Sequence, residues 1–213
     1  MAHLYPIFLN LAGKKCLVIG GGNVAERKVA TLLEYEADVT VVSPEASESI
    51  RNWAFQGLIR WRARYFQMED LEGVFVAFSA TGDQELNRKI SARCRERNIL
   101  INAVDDPPNC DFYVPSTLRR NSLCLAISTE GKSPLLAAKL RREMESIITD
   151  EYGEWVEILG KLREEIKNSD LSIEERKKMF EALVQSDMLD LLKTGCKEKI
   201  EERIQACMSC LRE

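Results

Sequence analysis

The sequence is short of several groups that carry chemistry. It holds one histidine, His3, so a site built on paired imidazoles is excluded. It lacks a surplus of either charge: 30 Lys and Arg face 34 Asp and Glu, for a formal net charge of −4. That balance gives no broad field to draw nucleic acid or an anionic membrane, so any anionic ligand must be caught locally. No stretch reaches the roughly 18 apolar residues that a membrane-spanning helix needs. Met1 to Asn10 has no basic region followed by a long apolar one. The expectation is a soluble, cytoplasmic protein.

Cysteine is not scarce, but no disulfide framework is expected from it. The seven residues Cys16, Cys94, Cys110, Cys124, Cys196, Cys207 and Cys210 are an odd number, and several stand in apolar runs where a small hydrophobe serves. Cys207-x-x-Cys210 has no second pair of the kind structural zinc uses, and Cys207 shares a helical face with Ile204 and Leu211. Packing is the expected role, and no metal site is expected.

At 213 residues with 45% apolar and 30% charged content, the chain can bury a core without staples. Its first half alternates short apolar runs with helical periodicity, the pattern of a parallel sheet covered by helices. Cys16–Ile19, Val39–Val42, Val74–Phe78 and Ile99–Val104 read as buried strands. Ile59, Trp61, Ala63 and Tyr65 alternate with Arg60, Arg62 and Arg64, which predicts a strand with one wet, solubilising face near an edge. Five strands with four helical crossovers are expected. Asp105-Asp106-Pro107-Pro108-Asn109 is turn chemistry and marks a domain boundary shortly after it.

Beyond the boundary, Leu118–Thr129 predicts a strand pair around Asn121-Ser122. Ser133-Pro134 opens a long helix with the apolar face Leu136, Leu140, Met144, Ile147 and Ile148. The remainder is helical in period. Trp155, Ile158, Leu159, Leu162 and Ile166 form one stripe, Ser172 with Glu175 forms a capping box, and a last amphipathic segment runs from about Lys197 to Leu211.

Gly20-Gly21-Gly22-Asn23-Val24-Ala25 fits the G-x-G-x-x-A dinucleotide fingerprint between an apolar strand and an amphipathic helix. The first glycine permits the tight turn, Gly22 lets a diphosphate approach bare backbone, and Ala25 keeps the helix close to the sheet. The helix start adds free N–H groups and partial positive charge. The acidic residue expected at the end of the second strand is missing; Ser43-Pro44 stands there with Glu45 just beyond, and NAD and NADP both fit. Asp105 and Asp106 follow the fifth strand, at the edge where open α/β sheets bind ligands. A carboxylate there can take a proton from a substrate or simply cap the turn before Pro107.

Five blocks, in order, resemble the precorrin-2 dehydrogenase family, which includes the dehydrogenase part of sirohaem synthases. They are Val18–Lys28, Val39–Pro44, Ser79–Thr81, Asn102–Pro107 and Ile127–Pro134. The resemblance covers roughly the first 150 residues and implies NAD-dependent oxidation of precorrin-2, a tetrapyrrole with many carboxylates, to sirohydrochlorin. It implies that Asp105 is the catalytic general base and that NAD is held by Gly20, Gly22, Asn23, Val24, Ser43, Pro44, Glu45 and Thr81. Ser128, Lys132 and Ser133 are the expected substrate contacts, a lysine, hydroxyls and free N–H groups at a helix start being suited to carboxylates. Glu130 departs from the small residue many relatives carry.

The family also implies a homodimer formed through the segment after the Rossmann unit. The expected architecture is α/β: a Rossmann-like NAD-binding domain over 1–115, a small α+β dimerisation segment over 116–150 and an all-helical part over 151–213. Two other functions stay open: a bifunctional dehydrogenase and ferrochelatase using the same aspartate, and a non-catalytic NAD-binding redox sensor.

Overall fold

The computed structural model describes residues 3–195 and 197–209 and divides after Val114 into two compact units. The first is a five-stranded parallel sheet of order β3-β2-β1-β4-β5, built from β1 (Lys15–Ile19), β2 (Asp38–Val42), β3 (Arg60–Arg62), β4 (Val76–Ser79) and β5 (Leu100–Ala103). Alternation along β1 assigns its two faces. Cys16 and Val18 pack with Ala25, Val29 and Leu32 of α1 (Asn23–Glu34) and Ile50 of α2 (Glu48–Phe55). Leu17 and Ile19 pack with Ile90 and Cys94 of α3 (Gln84–Glu96). Each Val, Leu or Ile among them removed from water contributes about 2 kcal/mol, so the central strands are held from both faces.

One expected crossover is not an α-helix. Between β3 and β4 the chain makes only a 3₁₀ turn, Met68–Leu71. The reason is Asp70, a buried carboxylate that accepts from the Gln67 N–H at 2.9 Å, from Arg64 at 2.6 and 2.8 Å, and from Arg62. Burial alone would raise its pKa, but the bonds from Arg64, the Gln67 N–H and Arg62 win and hold it at about 2. Arg62 and Arg64 are therefore structural partners of this turn, and Arg60 pairs with Asp38. The arginine stripe is the wet face expected, but each of its side chains also pairs with a carboxylate, and the strand is three residues long.

The second unit begins with an antiparallel hairpin, β6 (Ser116–Arg120) and β7 (Leu123–Ile127), turning at Asn121 with φ of +47°. Five helices follow: α4 (Pro134–Ile147), α5 (Asp150–Lys167), α6 (Ile173–Gln185), α7 (Met188–Thr194) and α8 (Lys197–Ser209). Ser133 caps α4 by accepting from the Leu136 N–H, and Ser172 with Glu175 forms the capping box of α6. Trp155, Leu162 and Ile166 of α5 meet Met179 and Leu183 of α6 and Met188 and Leu192 of α7 in one apolar cluster.

The stripe on α4 behaves differently from the one on α5. Ala137 is the buried residue of α4, whereas Leu135, Leu136 and Ile147 are 85%, 47% and 56% exposed. Of the face expected from periodicity, Leu136 and Ile147 are thus exposed, while Leu140, Met144 and Ile148 are half-buried. The C-x-x-C expectation lies outside the described residues, as do Cys196, Cys210 and the side chain of Cys207. Among the described residues no helix is long and apolar enough to cross a membrane.

Candidate functional site

In a parallel sheet all strands end at the same edge, so the segments after β1, β2, β4 and β5 converge there. These segments start with Gly20, Ser43, Ala80 and Val104. The strand order reverses between β1 and β4, which opens a crevice at that point. Gly20, Gly22, Asn23, Val24, Ser43, Pro44, Glu45, Thr81 and Asp105 all belong to this edge. Ser128, Lys132 and Ser133 belong to the second unit.

The glycine loop is shaped by backbone approaching from two sides. Gly20 has φ of +119°, and a Cβ there would lie 2.4 Å from the Ala80 carbonyl oxygen. At Gly21 a Cβ would lie 2.0 Å from the Glu45 carbonyl oxygen and 2.9 Å from the Ser43 hydroxyl. Gly22 is the reverse case: nothing stands within 4 Å of its missing Cβ. The loop thus packs through its first two glycines and presents bare backbone through the third.

Gly22 is also the N-cap of α1, and no side chain caps that helix. Ser47, Asp83, Ser133 and Ser172 cap α2, α3, α4 and α6 with side-chain oxygens. The start of α1, like those of α5 and α7, therefore has backbone donors and the positive end of the helix dipole without a side-chain cap, and it differs in having the open backbone of Gly22 at its head. Open space, bare backbone and uncapped N–H groups fit the diphosphate of a dinucleotide.

The loop after β2 is latched to the glycines. The Ser47 N–H donates to the Gly21 carbonyl at 2.8 Å, and hydrogen bonds from Ser47 and Ser49 lower the pKa of Glu26, on the first turn of α1. Trp61 Nε1 donates to the Ser43 carbonyl at 3.0 Å. Pro44 and Glu45 are exposed beside this latch. Across the crevice, Thr81 is fixed by Asn87, a buried residue of α3: the Thr81 hydroxyl meets Asn87 Oδ1 at 2.6 Å and Asn87 Nδ2 donates to the Thr81 carbonyl at 3.2 Å.

Asp105 is exposed at the end of β5 and has φ of +57°. The Asp106 N–H closes a turn onto the Ala103 carbonyl at 3.3 Å, with Asp105 at the position where type II turns favour glycine or asparagine. Such a conformation costs a non-glycine residue about 1 kcal/mol. Capping belongs to its neighbour: Asn109 Nδ2 donates to the Asp106 carboxylate at 2.8 Å, and the Asn109 N–H to the Asp106 carbonyl at 3.0 Å. Of the two adjacent aspartates, Asp106 is thus tied into the 3₁₀ turn, while the carboxylate of Asp105 is exposed.

In the second unit, the Ser128 hydroxyl accepts from the Glu130 N–H, and the Ser133 N–H donates to Thr129 Oγ1, both at 3.0 Å. Lys132 is exposed and lies 3.8 Å from the Glu130 carboxylate. A hollow of about 290 Å³ in the first unit lies apart from the dinucleotide loop. It is lined by Lys15, Asp38, Thr40, Arg60, Arg62, Asp70 and Glu72 among others, and its charges are largely paired with each other.

Gly21, Ser47, Asn87, Asn109 and Cys110 were not singled out by sequence reasoning. Gly21 had a signal, being the middle of three successive glycines; the others act through contacts that no spacing rule announces. Among the described residues no group of three or more His, Cys, Asp or Glu side chains is arranged to hold a metal ion.

Three family models match consecutive stretches of the chain. The one described as "Putative NAD(P)-binding" covers residues 7–116, "Sirohaem biosynthesis protein central" covers 120–147, and "Sirohaem synthase dimerisation region" covers 151–208. The last falls on the helical part, whereas the resemblance in the sequence assigned dimer contact to the segment before it. A siroheme synthase of Nitrosococcus oceani is 34% identical over 203 residues, covering 95% of this chain and 43% of that protein. One of Methylobacillus flagellatus is 36% identical over 204 residues, covering 96% and 44%. The chain thus spans less than half the length of these relatives. A solved structure named "SirC, precorrin-2 dehydrogenase" superposes with a TM-score of 0.76 at 28% identity, covering 96% of this chain and 99% of that one.

Proposed function

Because the chain belongs to the precorrin-2 dehydrogenase family, the dehydrogenase part of sirohaem synthases, we propose that it oxidises precorrin-2 to sirohydrochlorin with Asp105 as general base and NAD as acceptor. The observation that carries this reading is the placement of an exposed carboxylate in a left-handed turn on the same sheet edge as the uncapped start of α1 and the open backbone of Gly22.

The reaction removes two electrons and two protons from the macrocycle, as one hydride and one proton. NAD, when bound, supplies the acceptor for the hydride. Gly22 and the first turn of α1 hold the diphosphate by N–H donation and the helix dipole. Ser43, Pro44, Glu45 and Thr81 line the two sides of the crevice, and the latch between Ser47 and Gly21 keeps the first of these against the glycine loop. Asp105 accepts the proton at a carboxylate oxygen, turned toward solvent and substrate by its turn. Ser128, Lys132 and Ser133 offer donors suited to the carboxylates of the tetrapyrrole.

The test is anaerobic incubation of the purified protein with precorrin-2 and NAD or NADP, followed by the absorbance of the reduced coenzyme and of sirohydrochlorin, with and without Fe²⁺. The expected result is equimolar reduced coenzyme and sirohydrochlorin with NAD. Sirohaem on addition of Fe²⁺ would extend the reading to the bifunctional enzyme, and coenzyme binding without turnover would replace it with the redox sensor.

A further inference from the structure

The Asp105 turn is held from a second layer that the proposed mechanism does not use. Asp105 takes up a conformation suited to glycine, yet the bonds that fix it are all made by neighbours. The thiol of Cys110 lies 3.1 Å from the Ala103 carbonyl and 3.4 Å from the Asp106 carbonyl, the two oxygens on either side of the turn. Asn102, buried on β5, donates through Nδ2 to the Phe112 carbonyl at 2.9 Å and lies 3.7 Å from the Cys110 sulfur. The Asp111 N–H donates to the Ile101 carbonyl at 2.8 Å, so the segment after the 3₁₀ turn Pro107–Asn109 is stitched back along β5. Burial pushes the Cys110 thiol above its ordinary pKa, which keeps it protonated and able to donate at neutral pH.

We propose that Cys110, assisted by Asn109, is a positioning residue that clamps the Ala103–Asp106 turn and so keeps Asp105 in its left-handed conformation. A strained backbone persists only where surrounding bonds outweigh the strain, and a thiol reaching both ends of the turn from inside does this without touching the carboxylate. Asn109 clamps the outer side through the Asp106 carboxylate. Each carbonyl also accepts a backbone N–H, from Asp106 and Asn109 respectively, so the single thiol proton is a further bond shared between the two ends of the turn. Removing it loosens the turn and lets Asp105 relax toward negative φ. A base displaced by even an ångström loses much of its rate advantage.

The inference rests on the reading of Asp105 as base, so the test has one arm that depends on turnover and one that does not. In the first, Cys110→Ala, Cys110→Ser and Asn109→Ala are assayed with precorrin-2 and NAD. Cys110→Ala is expected to lower kcat about tenfold, with KM and the NAD dissociation constant little changed, and Cys110→Ser, which restores a donor, to recover most of it. In an Asp105→Asn background the same change is expected to add less than a twofold loss, because a clamp has no work to do without the base. A kcat for Cys110→Ala equal to that of the parent, or a full tenfold loss repeated in the Asp105→Asn background, would overturn the proposal. In the second arm, crystal structures or backbone chemical shifts of parent and Cys110→Ala are compared at Asp105. Loss of its positive φ supports the clamp, and an unchanged, fully ordered left-handed Asp105 rejects it. If the parent protein oxidised no precorrin-2, the assignment of the base would fall, and this second comparison would still decide what Cys110 does.

Discussion

At the scale of single residues the site separates groups that pack from groups that bind. Gly20 and Gly21 face carbonyl oxygens at distances no Cβ tolerates, whereas Gly22 faces open space. Gly21→Ala is therefore expected to destabilise the fold, read as a lower Tm even without coenzyme. Gly22→Asp is expected to fold normally and lose NAD binding by calorimetry, since a carboxylate would sit where a diphosphate belongs. Asp105→Asn is expected to keep both fold and NAD affinity while losing 10²- to 10⁴-fold in turnover, the usual contribution of a positioned base. Asp70 carries a pH signature: its pKa of about 2 lies below the ordinary 3.8, so the stability it contributes is complete above about pH 4 and is lost as pH falls toward 2. The acid limb of Tm against pH should be shallower in Asp70→Asn than in the parent, and identical limbs would show that Asp70 contributes no such term.

Elements follow the sequence where periodicity is strong and depart from it where a single buried charge decides. The strands after Lys15, Asp38 and Val76 and helices α1, α3 and α5 are legible because apolar spacing alone determines which side is buried. The crossover after β3 was not legible. A 3₁₀ turn organised by Asp70 and two arginines gives no periodic signal, and the arginines read as a solvated face until their partner is seen. The same holds for the site. Gly20, Gly22 and Asp105 are marked by motif and position, but the left-handed turn at Asp105, the tie of Asp106 into the 3₁₀ turn, and the latch from Ser47 to Gly21 arise from backbone geometry that spacing does not encode. Local capping, in contrast, was readable: Ser172 and Glu175 form the box their spacing predicts. Ser172→Ala is expected to lower stability by about 1 kcal/mol in urea unfolding, with coenzyme binding in the separate N-terminal unit unaltered.

For the whole molecule, the contrast between the apolar faces of α4 and α5 is the informative one. The stripe on α5 closes a core with α6 and α7, whereas α4 leaves Leu136 and Ile147 of its stripe, with the neighbouring Leu135, at the surface. Apolar side chains exposed at both ends of one helix favour an association surface along it. The chain is expected to sediment as a dimer, and paired Leu135→Glu and Ile147→Glu substitutions to shift it toward monomer while NAD binding persists. A dimer unaffected by those charges would move the interface elsewhere, for example to the helices covered by the dimerisation-region model.

The latch between Ser47 and Gly21 bears on how coenzyme preference can change in such a protein. The peptide at Glu45 already occupies the volume above Gly21, leaving no slack for a longer connection after the second strand. If the proposed coenzyme contacts hold, acceptance of a phosphorylated ribose is expected to change through side chains at Ser43, Pro44 and Glu45 rather than through loop length. Insertions there would press the Glu45 peptide onto Gly21 and distort the glycine loop, so that a longer connection is expected to weaken coenzyme affinity along with any change of selectivity.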